Sequence, residues 1–290
     1  MRPLKNTTGA TVGLEGHRNM KTRILAAAVL VPLLLIILLA LPKIVTTIVF
    51  ALMMAISAYE LLSRTGLVRH VRLVIWSALM AVAVSLWSYF DAVHDYAVIG
   101  ILLFMIALFG EMMSDLVKVC FDMLAMCMVA GLVIPYLLTS LIRILDLKLG
   151  RYLILVPFAV AFLSDAGAYF VGLRFGKHKL APVVSPNKTI EGVLGGLATS
   201  MIGMLIYGVV LQLLSFQVNY GLALLYGLLG SAAAPFGDLC FSIIKRQPAI
   251  KDYGNLIPGH GGVLDRFDSL MTVAPLIEVL LSLLPFAVAR

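Results

Sequence analysis

Nine stretches of this chain are apolar for long enough to cross a bilayer, and no other property narrows the possible folds as much. A spanning helix needs about 20 largely apolar residues. Stretches of that kind lie near 24–41, 44–62, 72–90, 97–113, 119–142, 152–173, 190–215, 219–240 and 268–289. The first is too long for a signal-peptide core, and no small-residue cleavage site follows it before the second begins. With 61% hydrophobic and 13% charged residues, the 290-residue chain lies outside the soluble globular range. Its longest polar stretches, 1–23 and 241–267, are each too short to bury a core of their own. The expected fold class is an all-α polytopic membrane protein of about nine transmembrane helices.

The remaining charges are unevenly distributed. Of 22 Lys and Arg, 17 precede the first span or fall in alternate connections: 63–72, Lys118, 174–189 and 241–267. The other five are Lys43, Arg143, Lys148, Arg151 and Arg290. Basic connections stay in the cytoplasm, so the N-terminus and the loops 174–189 and 241–267 are expected inside and the C-terminus outside. The net charge of +7 then reflects loops beside anionic lipid and does not indicate nucleic acid. Cys120, Cys127 and Cys240 form no C-x-x-C pair and read as reduced packing residues. Three regions result: a polar, basic leader over 1–23, a transmembrane scaffold of about five helices over 24–150, and a catalytic or transport region over 151–290 where acids enter the apolar runs.

A carboxylate at bilayer depth costs about 2.5 kcal/mol or more, so it normally faces the bundle interior or an aqueous cavity and has a partner. Asp165 and Asp238 are such acids, and Pro235 and Gly237 loosen the helix around Asp238. The plain alternative for each is an interfacial acid reaching water. For Glu278, in the last span, a packing hydrogen bond and a function weigh equally. Gly172-x-x-x-Gly176 and Gly192-x-x-x-Gly196 favour close helix packing over any ligand role. In Ser185-Pro-Asn-Lys188-Thr189-Ile-Glu191-Gly, Ser185 or Asn187 would cap a helix starting near Lys188. Lys and Ser or Thr at a helix start suit phosphate, and an ordinary capped start with Glu191 in its first turn is equally consistent.

The segment Ser242–Asp268 is the one long charged island. It holds Lys245, Arg246, Lys251, Arg266, Asp252, Asp265, Asp268 and His260 among four glycines and two prolines. Gly261-Gly262 would let backbone N–H groups converge on an anion, and the four cations would neutralise phosphates. Asp238, Asp265 and Asp268 offer the few oxygens that Mg²⁺ takes alongside substrate phosphates. A solvated basic loop would not need its acids interleaved with cations beside glycines. The segment is no P-loop, which requires G-x-x-x-x-G-K-[ST], and nothing has zinc-ligand spacing. His260 reads as a phosphate donor, a general acid or a turn residue.

The pattern Ser242-x₂-Lys245-Arg246-x₄-Lys251-Asp252-x-Gly254-x₃-Pro258-x-His260-Gly261-Gly262-x₂-Asp265-Arg266-x-Asp268 resembles the signature of the phosphatidate cytidylyltransferases. Asp165-Ala-Gly-Ala168-Tyr169 and Ser185-Pro186-x-Lys188-Thr189-x-Glu191-Gly192 resemble upstream motifs of that family, in the expected order. The match is detailed over about 150–270, and the first 150 residues carry no diagnostic motif. The resemblance implies a reaction of CTP with phosphatidate to give CDP-diacylglycerol and diphosphate, with Mg²⁺ and an auxiliary K⁺, in a homodimer of the bacterial cytoplasmic (inner) membrane. It also implies Asp238 and Asp265 as metal-site residues, with Asp268 and Asp165 in support. Lys245, Arg246, His260 and Arg266 are the further catalytic candidates. Ser185, Lys188, Thr189, Glu191, Lys251, Gly261 and Gly262 are the substrate-binding candidates. The rivals are a CTP-dependent enzyme on another lipid, such as a polyprenol or diacylglycerol, and an anion or nucleotide transporter, against which stands the absence of a repeated half.

Overall fold

The computed structural model describes residues 28–90, 96–256 and 261–289. The leader, His260 and Arg290 lie outside the described residues. The apolar runs form helices α1 (Ala28–Leu39), α2 (Lys43–Arg64), α3 (Val71–Trp87), α4 (Ala97–Ser114), α5 (Phe121–Ile144), α6 (Gly150–Phe175), α7 (Ile190–Leu213), α8 (Tyr220–Arg246) and α10 (Leu270–Leu283). A single turn, α9 (Leu264–Phe267), precedes the last. Six of these, α2 and α4 to α8, are long and apolar enough to cross a membrane, while α1, α3 and α10 are shorter apolar helices. The chain is built as an all-α membrane protein.

Local sequence explains the irregular places. α2 ends in a π-helical turn, Glu60–Arg64, and α5 carries another at Val129–Val133. Pro135 follows the second and cannot donate an N–H to the preceding turn. Thr189 caps α7 by accepting from Gly192 N–H at 3.1 Å, and Asn219 caps α8 by accepting from Leu222 N–H at 3.1 Å.

Four expectations need correction. The helix expected over 190–215 does start at Ile190, but with Thr189 rather than Ser185 or Asn187 as its cap. Residues 185–189 instead form strand β2, paired antiparallel with β1 (Lys179–Ala181). The island expected to begin as a loop at 241 is helical to Arg246, so Lys245 and Arg246 sit in the last turn of α8, where cations suit the helix dipole. The last span ends at Leu283, and Ala287–Ala289 (β4) pairs with Phe216–Val218 (β3). The two ribbons lie at opposite ends of the bundle, because α7 leaves the first and reaches the second after 24 residues, about 36 Å of helix.

Helices α6, α7, α8 and α10 pack together, with α6 and α7 the most intimate pair. Their small residues set that distance. A Cβ on Gly192 would lie 2.8 Å from the Ala168 carbonyl oxygen, and one on Gly196 would lie 2.7 Å from that of Ser164. The packing role expected of Gly192 and Gly196 is therefore what the backbones require. Glu278 forms a two-pronged ion pair with Arg143 of α5, Nε to Oε1 at 2.6 Å and Nη2 to Oε2 at 2.8 Å. It joins the two halves of the molecule.

Candidate functional site

The closeness of α6 and α7 leaves a cleft at the β1–β2 end. Its volume is about 260 Å³, and its lining includes Asp165, Tyr169, Lys188, Thr189, Pro235 and Asp238. Asp165 comes from α6 and Asp238 from α8, while β2 brings Lys188 across from the side. Lys188 Nζ lies 2.5 Å from Asp238 Oδ2 and 3.5 Å from the Pro235 carbonyl oxygen. The carbonyl that Pro235 leaves without a helical N–H is that of Ser231, which accepts instead from Ser164 Oγ at 3.4 Å. A Cβ on Gly237 would strike Thr272 Oγ1 at 2.7 Å. The glycine thus lets the Asp268–Thr272 segment close on α8.

Asp268 reaches the same place from the other side. Ser269 Oγ is 3.5 Å from Asp165 Oδ2 and 3.5 Å from Asp268 Oδ1, so one hydroxyl lies between the two acids. Asp238, Ser242 and Lys245 follow at one-turn intervals on one face of α8, with Ser242 Oγ donating to Asp238 Oδ1 at 3.3 Å. Lys245 Nζ then binds Asp265 Oδ1 at 2.9 Å and lies 5.3 Å from the centre of the Tyr253 ring. The structure therefore brings Asp165, Lys188, Asp238, Lys245, Asp265 and Asp268 into one continuous polar seam between apolar helices.

Other candidates are turned to different tasks. Glu191 Oε1 lies 2.6 Å from His178 Nδ1, and its carboxylate accepts from the Lys177 and His178 N–H groups at the base of the β-ribbon. Arg246 Nε donates to the Val184 carbonyl at 3.1 Å and ties the ribbon's turn to the end of α8. Lys251 and Arg266 are exposed, and Ser185 is half-buried in β2.

The glycine loop does converge on anions, but they are the protein's own. Gly262 N–H donates to Asp265 Oδ2 at 3.0 Å, and Tyr253 N–H donates to the same oxygen at 2.8 Å. Asp265, only 6% exposed, thereby holds three donors with its two oxygens. The expectation that the Gly261-Gly262 N–H groups face a bound phosphate is corrected at Gly262. The positive φ of Gly261, 87°, makes that turn. Tyr253 anchors the loop further by donating its hydroxyl to the Phe241 carbonyl at 2.9 Å.

Sequence reasoning also missed Glu60. The Val263 and Leu264 N–H groups donate to it at 3.1 and 3.0 Å. Its only signal was that it stands as an acid at the end of an apolar run with no acid of its own.

A model of the cytidylyltransferase family matches residues 21–284. The phosphatidate cytidylyltransferase of Staphylococcus haemolyticus (strain JCSC1435) is 49% identical over 132 residues, covering 46% of this chain and 50% of that protein. Those of Staphylococcus aureus (strain COL) and Staphylococcus epidermidis (strain ATCC 35984) are 48% and 46% identical over the same coverage. The chain spans about half the length of the curated relatives it matches. With the family model matching from the first apolar helix to the last, the chain belongs to the cytidylyltransferase family.

Proposed function

We propose that this protein is a phosphatidate cytidylyltransferase. The carrying observation is the cleft in which Asp165 and Asp238 meet Lys188, at the bundle end that also gathers Lys245, Arg246 and Arg266. One substrate must come from water and the other from lipid, and an acid-and-lysine cleft between apolar helices serves both. An ionised phosphate oxygen of phosphatidate attacks the α-phosphorus of CTP. The bond from that phosphorus to the bridging oxygen breaks, and diphosphate leaves with the electron pair. The lipid supplies the nucleophile, so the protein contributes position and charge.

Asp165, Asp238 and Asp268 would hold Mg²⁺, since carboxylate oxygens suit it. Among the described residues no three acidic, histidine or cysteine side chains converge closely enough to enclose an ion alone. Substrate phosphates would complete the shell of a cation held there. Bound there, Mg²⁺ supplies neutralisation of the triphosphate and of the departing diphosphate. Lys188 then exchanges Asp238 for a phosphate. Lys245 stays with Asp265 and keeps the loop folded beside the reacting groups. Asp265 keeps the metal-site role that the resemblance implies and also clasps the loop, its oxygens holding Lys245 and two backbone N–H groups. K⁺ remains the auxiliary ion that the resemblance implies.

The same reading has nine spans, a cytoplasmic N-terminus and cleft, an outer C-terminus and a homodimer in the bacterial cytoplasmic membrane. The uneven distribution of 17 of 22 cations supports that orientation. The exposed flank of α4, where only Phe104 and Leu108 are buried, leaves room for lipid or a second copy.

The test is diphosphate release in detergent from CTP, phosphatidate and Mg²⁺, with diacylglycerol and a polyprenol as competing acceptors. Release with phosphatidate alone is the expected result. Release only with another acceptor, or CTP flux into vesicles without release, overturns the reading.

A further inference from the structure

Glu60 lies 203 residues before the loop it holds. It is 3% exposed and opens the π-helical turn at the end of α2. A carboxylate this deep is costly unless its oxygens are satisfied. Its partners are Val263 N–H on Oε1 and Leu264 N–H on Oε2. These are unpaired donors at the start of α9, a turn with no capping side chain of its own. Glu60 therefore caps from another helix the turn that presents Asp265 and Arg266.

The glycines beside it make a second, independent observation. The three atoms nearest a Cβ on Gly262 would all be Glu60's: Oε2 at 2.6 Å, Cδ at 2.7 Å and Oε1 at 2.7 Å. At Gly254 the three nearest atoms are again Glu60's. Neither glycine has a positive φ, so it is space for the carboxylate, not backbone freedom, that requires them. Two fixed positions of the signature are thus shaped by a residue outside it. Phe50, three turns earlier on α2, stacks edge-on against Phe267 with ring centres 6.4 Å apart. One helix of the N-terminal half grips both ends of α9.

We infer that Glu60 is a positioning residue for this reaction: it touches no substrate and sets the register of the 261–265 loop, and through it the Asp265–Lys245 pair. The activity part of this inference rests on the cytidylyltransferase reading.

The test is a mutant cycle with Glu60→Gln, Glu60→Ala, Gly262→Ala and the double variant E60A/G262A, read by steady-state kinetics and amide hydrogen exchange. Glutamine keeps the shape but sets an N–H₂ group against one of the two N–H donors. Exchange at Val263 and Leu264 should rise about 10-fold or more, as expected when a buried charged acceptor is lost. The turnover number should fall by a similar factor, with KM for CTP within about 2-fold. G262A should be severe alone and add little in the E60A background, because the atoms it meets are gone. Exchange and turnover of E60Q within about 2-fold of the unaltered protein, or an equal penalty for G262A in both backgrounds, overturns the inference. Should E60A not fold, E60Q carries the test. If the unaltered protein releases no diphosphate, the proposed reaction fails, and amide exchange still decides the role of Glu60.

Discussion

The two halves of the bundle are packed with different emphasis, although Gly131 of α5 also meets α3 closely and Tyr226, Met204 and Phe241 are buried in the second half. In α2 to α5 large side chains fill the space between helices: Met54, Leu61, Leu73, Leu108 and Leu138 are all buried to within 1%. In α6 to α8 the helices meet at Gly167, Gly192, Gly195, Gly196 and Gly227, where an added Cβ would strike the neighbouring helix. Lipid tails give apolar helices no reason to prefer each other over the bilayer, so association relies on packing and polar contacts. Large residues fill most of the scaffold, and the hollow of about 340 Å³ among Trp87, Ile101, Leu132 and Tyr136 has no charged side chain in its lining. Small residues bring α6 and α7 together, and Asp165, Asp238 and Lys188 lie beside that close contact, in a cleft that Ala168 and Gly192 also line.

That contrast breaks most visibly if scaffold and cleft substitutions fail to separate stability from activity. Leu73→Ala leaves a cavity in the filled half and should cost about 2–5 kcal/mol. Turnover per folded molecule should not change. Asp238→Asn should do the opposite, leaving thermal unfolding in detergent near its original midpoint. Its diphosphate release should fall about 10²- to 10³-fold, the usual size for a lost electrostatic contact to a reacting group. Reversed outcomes would put the chemistry in the wrong half.

A smaller effect is expected at the seam. Gly196→Ala adds one methyl 2.7 Å from the Ser164 carbonyl oxygen and forces α6 from α7. Overpacking costs about 1–3 kcal/mol, and because Ser164 adjoins Asp165, turnover should drop as well. Loss of stability with unchanged turnover would mean that the seam does not shape the cleft. Glu278→Gln is the control on the same bundle. Glu278 lies ten residues beyond Asp268, about 15 Å along the helix, so the variant should lower stability by about 1–3 kcal/mol and spare turnover. Arg143→Met combined with Glu278→Leu should recover much of that stability, since a removed pair leaves no lone charge.

The sequence made the membrane class legible because spans near 20 residues are set by bilayer thickness. Asp165, Lys188 and Asp238 were readable because ionised groups stand out in apolar runs. What it did not carry was the direction each group faces. Asp265, Arg246 and Glu191 share one charged vocabulary with the cleft residues, yet they bind Lys245, Val184 and His178 respectively. Only the fold distinguishes an acid that holds a loop from one open to substrate. The pairs Glu60–Val263 and Arg143–Glu278 span 203 and 135 residues, and no local spacing rule reaches that far.

The smallest predicted effect sharpens the comparison through a second acid of the scaffold. Asp115, just beyond α4, accepts from Lys118 Nζ at 2.8 Å and from Lys118 N–H at 3.2 Å. The Lys118 ammonium beside it holds its carboxyl below the usual range. Its contribution would be present above the ordinary aspartate pKa and lost as pH falls through the lowered folded value. Both groups are open to solvent, where such pairs are screened and weak. Asp115→Asn should therefore leave unfolding, diphosphate release and their pH dependence unchanged, while Glu60→Gln, also one acid of the scaffold, slows turnover. Equal effects from the two would mean that any acid of the scaffold acts by its charge. Unequal effects place the influence of this half on the reaction in the contacts of α2 with the 261–267 turn.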